Sequence, residues 1–340
     1  LAALACAGLA TCSTLGAKGP KEQGALPAIV DPPSLPGAKT ILIALPLSRD
    51  FLDARRALVT EIKRDFNIAT VAVAPSTSVS ELAAVIERTS PVCLVLMNNA
   101  TVALYQQYQA QVGSRKMPPA VVLMTSFLEE SSSRVKNVTG IAYEVPGVTA
   151  FVHLRSVVKA PVTRIGVVYR PAFGHFIERQ KVLAAREHFE LVPMPVPADV
   201  SADGLLDALR RLMDQSRVDA LWMLNDNGLI RDGLFLADTW RLALRDVSLP
   251  LLVGVPNLVD PSDPFGTLAV VPDHEALGLQ AANLIFDLAE NDWSLEGRGI
   301  DLPLSVKTIV DMKQARERFG LKQDASRHID HPLEWGELAF

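Results

Sequence analysis

Residues Val218 to Asn227 read VDALWMLNDN. An apolar run stops abruptly on Asn225, Asp226 and Asn227, a carboxylate flanked by two amides, and an apolar helical pattern follows. A short run that is apolar on both faces and feeds a helix reads as a strand covered on both sides, the condition of a parallel sheet. The polar triplet then falls at the strand's carboxyl end, beside the next helix N-terminus. Two roles suit Asp226 there. It can cap the helix by accepting hydrogen bonds from backbone amides. It can also anchor the ammonium group of a ligand, because a charge-assisted hydrogen bond is about twice as strong as a neutral one.

The same pattern extends in both directions. Short β-branched apolar runs occur at TILIAL, ATVAVA, VCLVLM, AVVLM and VTGIAY in the first half. They resume at RIGVVY, FELVPM, DALWML, LPLLVG and TLAVV, with a last one near LSVKTIV. Helical spacing separates many of them, as in Phe51-Leu52-Ala54-Leu58-Val59-Ile62, Leu205-Leu206-Leu209-Leu212-Met213 and Leu277-Leu279-Ala282-Ile285-Phe286. So many strands exceed one comfortable sheet. The expected fold class is therefore α/β, with two doubly wound parallel-sheet lobes.

Open α/β sheets bind ligands at the carboxyl ends of their strands. The residues at those positions are Ser48, Arg49 and Asp50, then Asn98, Asn99 and Thr101, then Thr125 and Ser126. In the second half they are Tyr169, Arg170 and Phe173, then the Asn225–Asn227 triplet, then Pro256 and Asn257. These loops are polar with few ionisable groups, which suits a binding cleft better than an acid–base site. Asp50 and Glu144 are the carboxylates available to pair with Asp226 in a hydrolase.

Composition narrows the function further. The net charge is −5 and no run of lysine and arginine occurs, which argues against a nucleic-acid partner. No dinucleotide fingerprint, phosphate loop or nucleophile elbow is present, so no cofactor and no catalytic residue is assigned. Cys93 lies in the apolar run PVCLVLM and reads as an inert core residue. His328 and His331 stand three apart in the polar end of the chain, without further ligands for a metal.

Residues 1–12 are small and apolar and resemble the back half of a secretory signal. Leu9-Ala10-Thr11-Cys12 resembles a bacterial lipobox, with Cys12 the lipidated residue and Ala3-Leu4-Ala5-Cys6 the competing site. Residues 13–38 are rich in Gly and Pro and read as a tether. Residues 322–340 read as a polar tail.

The order of several segments resembles the ABC-transporter substrate-binding proteins of the tryptophan/tyrosine-binding type, over about Lys39 to Leu321. NVTGIAYEVP (Asn137 to Pro146) resembles that family's first lobe crossing, and RIGVVYRP (Arg164 to Pro171) its second-lobe opening strand. VDALWMLNDN resembles a segment commonly ending Pro-Thr-Asp-Asn. DHEALGLQAANLIFDL (Asp273 to Leu288) and GIDLPLSVKTIVDMKQARERFGL (Gly299 to Leu321) resemble its late helix and terminal segment. Arg170 stands where the family has Asn, and Asn225 where it has Thr.

The resemblance implies a type I periplasmic binding fold with a three-crossing hinge. The first lobe would take 39–143 plus 257–292, and the second 144–256 plus 293–321. It implies an extracytoplasmic monomer that captures a small molecule, an amino acid or similar, for an ABC permease, with any membrane contact made through a lipid anchor. Asp226 would bind an amino group, with Asn225 and Asn227 beside it. Asn99, Thr101, Thr125 and Ser126 would hold a carboxylate or other polar end, Tyr143, Tyr169 and Phe173 would supply apolar walls, and Ser48 and Asn257 are further ligand-binding candidates. The same fold feeding a signalling partner is the alternative, and a cleft hydrolase a weaker one.

Overall fold

Each apolar run becomes a strand in the computed structural model, which describes residues 29–113, 117–230, 239–245, 247–262 and 265–333. The first lobe opens with β1 (Thr40–Leu45), α1 (Arg49–Ile62), β2 (Asn67–Ala72), α2 (Val79–Thr89), β3 (Cys93–Met97) and α3 (Asn99–Val112). It continues with β4 (Ala120–Leu123), α4 (Leu128–Ser131) and β5 (Val138–Ile141). The chain then enters the second lobe through α5 (Gly147–Val157), β6 (Arg164–Tyr169), α6 (Gly174–Arg186), β7 (Glu190–Pro195) and α7 (Ala202–Arg210). There follow β8 (Ala220–Trp222), α8 (Asn227–Ile230), α9 (Arg241–Leu244), β9 (Leu251–Val253) and β10 (Leu268–Pro272). Helix α10 (His274–Glu290) and β11 (Ile300–Asp301) return to the first lobe. The strand β12 (Val306–Asp311), α11 (Met312–Glu317) and β13 (His331–Leu333) end in the second.

The first sheet has the order β2-β1-β3-β4-β5-β11 and is parallel throughout. Its central strands are buried on both faces, which is why their sequence is continuously apolar rather than alternating. Leu42, Leu82, Leu94, Leu96 and Tyr105 pack on one face, and α10 lies along α1 on the other. The second sheet has the order β7-β6-β8-β9-β10-β12-β13. It is parallel except that β12 runs antiparallel to β10. The crossings explain that exception: β10 runs toward the first lobe and leaves the sheet there, and β12 enters from the same side.

Both sheets reverse strand order beside their first strand, so the crevices at β1/β3 and β6/β8 open at the carboxyl ends. Three crossings join the lobes: residues 142–146, Asp273 between β10 and α10, and residues 302–305.

Several expected boundaries move. Residues 257–272 belong with the second lobe, because β10 pairs with β9, and the first lobe runs on to β11 at residue 301. Part of the expected tether is docked. The Asp31 carboxylate accepts from Arg55 and from the Thr70 backbone N–H and hydroxyl, and the Asn67 side chain closes on Leu35 and Ala38. The expected tail also carries structure, since β13 adds to β12 and a 3-10 turn at Ala325–His328 packs on α5. Cys12 and the rest of the leader lie outside the described residues.

Candidate functional site

Strands β6 and β8 are neighbours, with Val167 opposite Trp222. Three residues on in that register, Arg170 comes beside Asn225 and Asp226. The Arg170 Nε donates to Asp226 Oδ2 at 2.6 Å, and Nη2 pairs with Oδ1. Asp226 is 1% exposed and also accepts from the Gly228 backbone N–H at 2.9 Å. Its carbonyl receives the amides of Leu229 and Ile230, so it starts α8 as well. Gly228 is required by this arrangement, because a Cβ there would collide with the Arg170 guanidinium. Asp226 in turn holds that guanidinium further above its ordinary pKa. In this structure the cation position beside Asp226, where a ligand ammonium was expected, is filled by the chain's own Arg170.

The lobes meet through Phe127. It sits in the left-handed backbone region, at φ +51°, just before α4. Asn99 fixes that turn: its Oδ1 accepts from the Ser126 N–H at 2.9 Å, and its Nδ2 donates to the Ser126 carbonyl and to Ser131 Oγ. The Phe127 ring, carried by the first lobe, stacks on Phe173 of the second at 4.0 Å between centroids and meets Phe176 edge-on at 5.2 Å. The Arg170 guanidinium lies 5.6 Å from the Phe173 ring.

Behind this contact is an interlobe cavity of about 30 Å³. Its lining includes Phe127, Tyr143, Glu144, Phe176, Trp222 and Asn225. Asn225 donates to the Gly254 carbonyl, and Gly254 has to be glycine because a Cβ there would overlap the Asn225 amide. Glu144 lies in the first crossing. Its Oε1 is sealed from solvent and has no hydrogen-bond partner among the described residues. Burial pushes the Glu144 carboxyl up to about 7; the backbone amides of Phe127 and Glu144 offset part of this, and the charge of Glu130 adds to it. Next to it, the Tyr143 hydroxyl meets His274 Nε2 at 3.1 Å, and His274 Nδ1 faces Asp50 at 3.4 Å. This chain ties the first crossing to the second and holds Asp50 below the usual carboxylate range.

Of the residues expected to bind ligand, Tyr143 and Asn225 line the cavity. Asn99 and Ser126 build the turn that carries Phe127, and Phe173 receives that ring. Thr101 and Thr125 are fully buried and hold no exposed hydroxyl toward a carboxylate. Tyr169 packs against the second-lobe core, and Ser48 stands before α1 without capping it. Asn227 and Asn257 are exposed. The side chains of the expected carboxylate cradle are otherwise disposed: Asn99 bonds the Ser126 backbone, Thr125 donates to the Leu123 carbonyl, and the Thr101 hydroxyl is buried without a partner among the described residues. Phe127, Glu144 and Trp222 were not singled out as wall or anchor residues. The Val145-Pro146 crossing after β5 was the available signal for Glu144.

A wider depression of about 710 Å³ lies at the outer edge of the first lobe, lined by Thr139, Asn291, Arg298 and Asp301 among others. It is open and polar, and none of its lining residues lines the interlobe cavity. No cluster of three metal-ligating side chains occurs among the described residues. No described helix is long and apolar enough to cross a membrane.

Family models and curated proteins give no match to this chain. Solved structures do. An ABC domain in complex with L-Trp from Streptococcus pneumonia is similar with a TM-score of 0.58 at 15% identity, over 87% of this chain and 100% of that one. A ligand-free, open substrate-binding protein with adhesive properties from Clostridium difficile gives 0.56 at 12%, over 88% and 97%. A conserved domain protein from Vibrio cholerae gives 0.54 at 17%, over 87% and 100%. At such identities the likeness shows the fold: two α/β lobes of the type I periplasmic binding class.

Proposed function

We propose that the protein is an extracytoplasmic solute-binding component of an ABC importer, which captures a small molecule between its lobes by hinge closure. The observation that carries this is the interlobe contact itself. An aromatic ring from one lobe enters the other over a cavity lined by both lobes and by the first crossing. A cleft that opens and closes about three strands of chain is built for capture and release. The likeness to substrate-binding proteins supports the same reading. The solute is an amino acid or a similar small organic molecule, and the leader, with Cys12 lipidated, would hold the protein at a bacterial membrane beside its permease. In this reading Asp226 serves to hold Arg170 rather than the solute, as their ion pair suggests.

A thermal-shift screen of the chain from residue 13 onward tests this, against amino acids, biogenic amines, purines and sugars. A solute at a hundred times its Kd adds about 2.7 kcal/mol of stability, which is a readable shift. One or more compounds raising Tm is the expected result; a panel without effect counts against solute capture.

A further inference from the structure

We propose that Glu144 is the cleft's anchor for a positively charged group, so that the solute class is an ammonium or amidinium cation carried on an apolar body. This deepens the solute-binding reading and rests on it. Three observations converge. Glu144 Oε1 is shut off from solvent with no hydrogen-bond partner among the described residues, and Glu144 lines the interlobe cavity. A buried carboxylate oxygen without a donor is costly, and a cation with N–H donors resolves that cost. A second carboxylate at the cleft, Asp226, is already paired with Arg170. The walls around Glu144 are aromatic, with Phe127, Tyr143, Phe176 and Trp222 contributing, and aromatic faces attract cations. A cavity of about 30 Å³ has room for a compact head group of about the size of a water or an ammonium. The remainder of the solute would need Phe127 to part from Phe173.

The anchor must be ionised to pair with a cation. The groups around it are Glu130 on α4, Tyr143 in the same crossing, and Asp50 with His274 behind Tyr143. With the carboxyl titrating near 7, cation affinity rises with pH up to about 7 and levels off above it.

The test takes each compound that shifts the wild-type melt and compares it with partners of similar apolar body that differ in charge. L-Phenylalanine, 2-phenylethylamine and 3-phenylpropionate form one such set; agmatine and 4-guanidinobutyrate form another. Titration calorimetry is then run on the wild type and on Glu144→Gln at pH 5.5 and pH 8. The proposal expects the cationic members to bind, the purely anionic members to fail, and Glu144→Gln to weaken cation binding at pH 8 by tenfold or more. It also expects the wild type to bind more tightly at pH 8 than at 5.5, and Glu144→Gln to lose that dependence. Binding that survives Glu144→Gln unchanged, or that favours 3-phenylpropionate over 2-phenylethylamine, overturns the anchor and leaves solute capture standing. A panel in which no compound of any charge binds overturns both.

Discussion

Asp226, which is buried, and Glu144, whose Oε1 is shut off from solvent, are two carboxylates with opposite fates, and neighbours rather than residue type set the difference. Asp226 has a guanidinium and a backbone amide; the Glu144 carboxylate has the backbone amides of Phe127 and Glu144 but no guanidinium, and its Oε1 has no partner among the described residues. Two predictions belong at this scale. The Glu144 carboxyl is raised by burial from its ordinary value to about 7, so the folded state binds more protons than the unfolded chain between about pH 4.5 and 7. Stability is then lost as pH rises through that window, on the order of 2–3 kcal/mol. Glu144→Gln removes this loss: its Tm exceeds that of the wild type at pH 8 and matches it near pH 4.5. Equal pH profiles in calorimetric melts would contradict this. Second, the pair of Arg170 and Asp226 is unequal in exposure, 27% against 1%. Arg170→Ala strands a buried charge and costs about 3 kcal/mol, whereas Asp226→Ala leaves a guanidinium that can reach water and costs about half as much. Urea unfolding of both variants checks the order.

Single residues were the least legible level of the sequence. That Asp226 would stand at a strand mouth was readable from the apolar run before it. Its partner was not, because Arg170 lies on a different strand and only the β6–β8 register brings the two together. Thr101 and Thr125 had the right residue type and the right loops, but their side chains turn into the first lobe.

Elements were far more legible. Every apolar run formed a strand, and the central ones were plainest because strands buried on both faces write their burial into consecutive residues. The short edge strands β11 and β13 lack that signature; Asp301 and His331 are exposed, and their pairing comes from the backbone. The segment before β1 was misread for a related reason. Its prolines suit a tether, and the docking rests on two polar side chains, Asp31 and Asn67. A chain beginning at residue 39 should therefore lose about 1–2 kcal/mol relative to one beginning at residue 29, since it abandons the Asp31 carboxylate clamp. Equal denaturant midpoints would show the segment to be energetically idle. The turn before α4 carries the other prediction at this scale. Phe127→Ala removes the ring that joins the lobes, at a cost of about 3 kcal/mol in the joined form. Because that cost falls between lobes rather than within one, the expected signature is a larger radius of gyration in small-angle X-ray scattering with both lobes still folded.

At the scale of the whole molecule, two sheets with their carboxyl ends opposed make one cleft, and three crossings make one hinge. Neither lobe alone contains the site. Phe127 belongs to the first, Trp222 and Asn225 to the second, and Glu144 to the chain between them. The proposed capture by closure draws on that division. The most direct measurement is a distance across the cleft. Spin labels at Leu47→Cys and Asn257→Cys, both exposed and each just beyond the carboxyl end of a strand, report the lobe separation. Cys93 is buried with its thiol pushed up to about 12 and stays unlabelled, and Cys6 and Cys12 are replaced by serine. Double electron–electron resonance on this protein, with and without the compounds that raise its Tm, should show a broad distribution collapsing to one shorter distance on binding. An identical distribution in both conditions would mean that the compounds bind elsewhere and that closure over a solute is not what this molecule does.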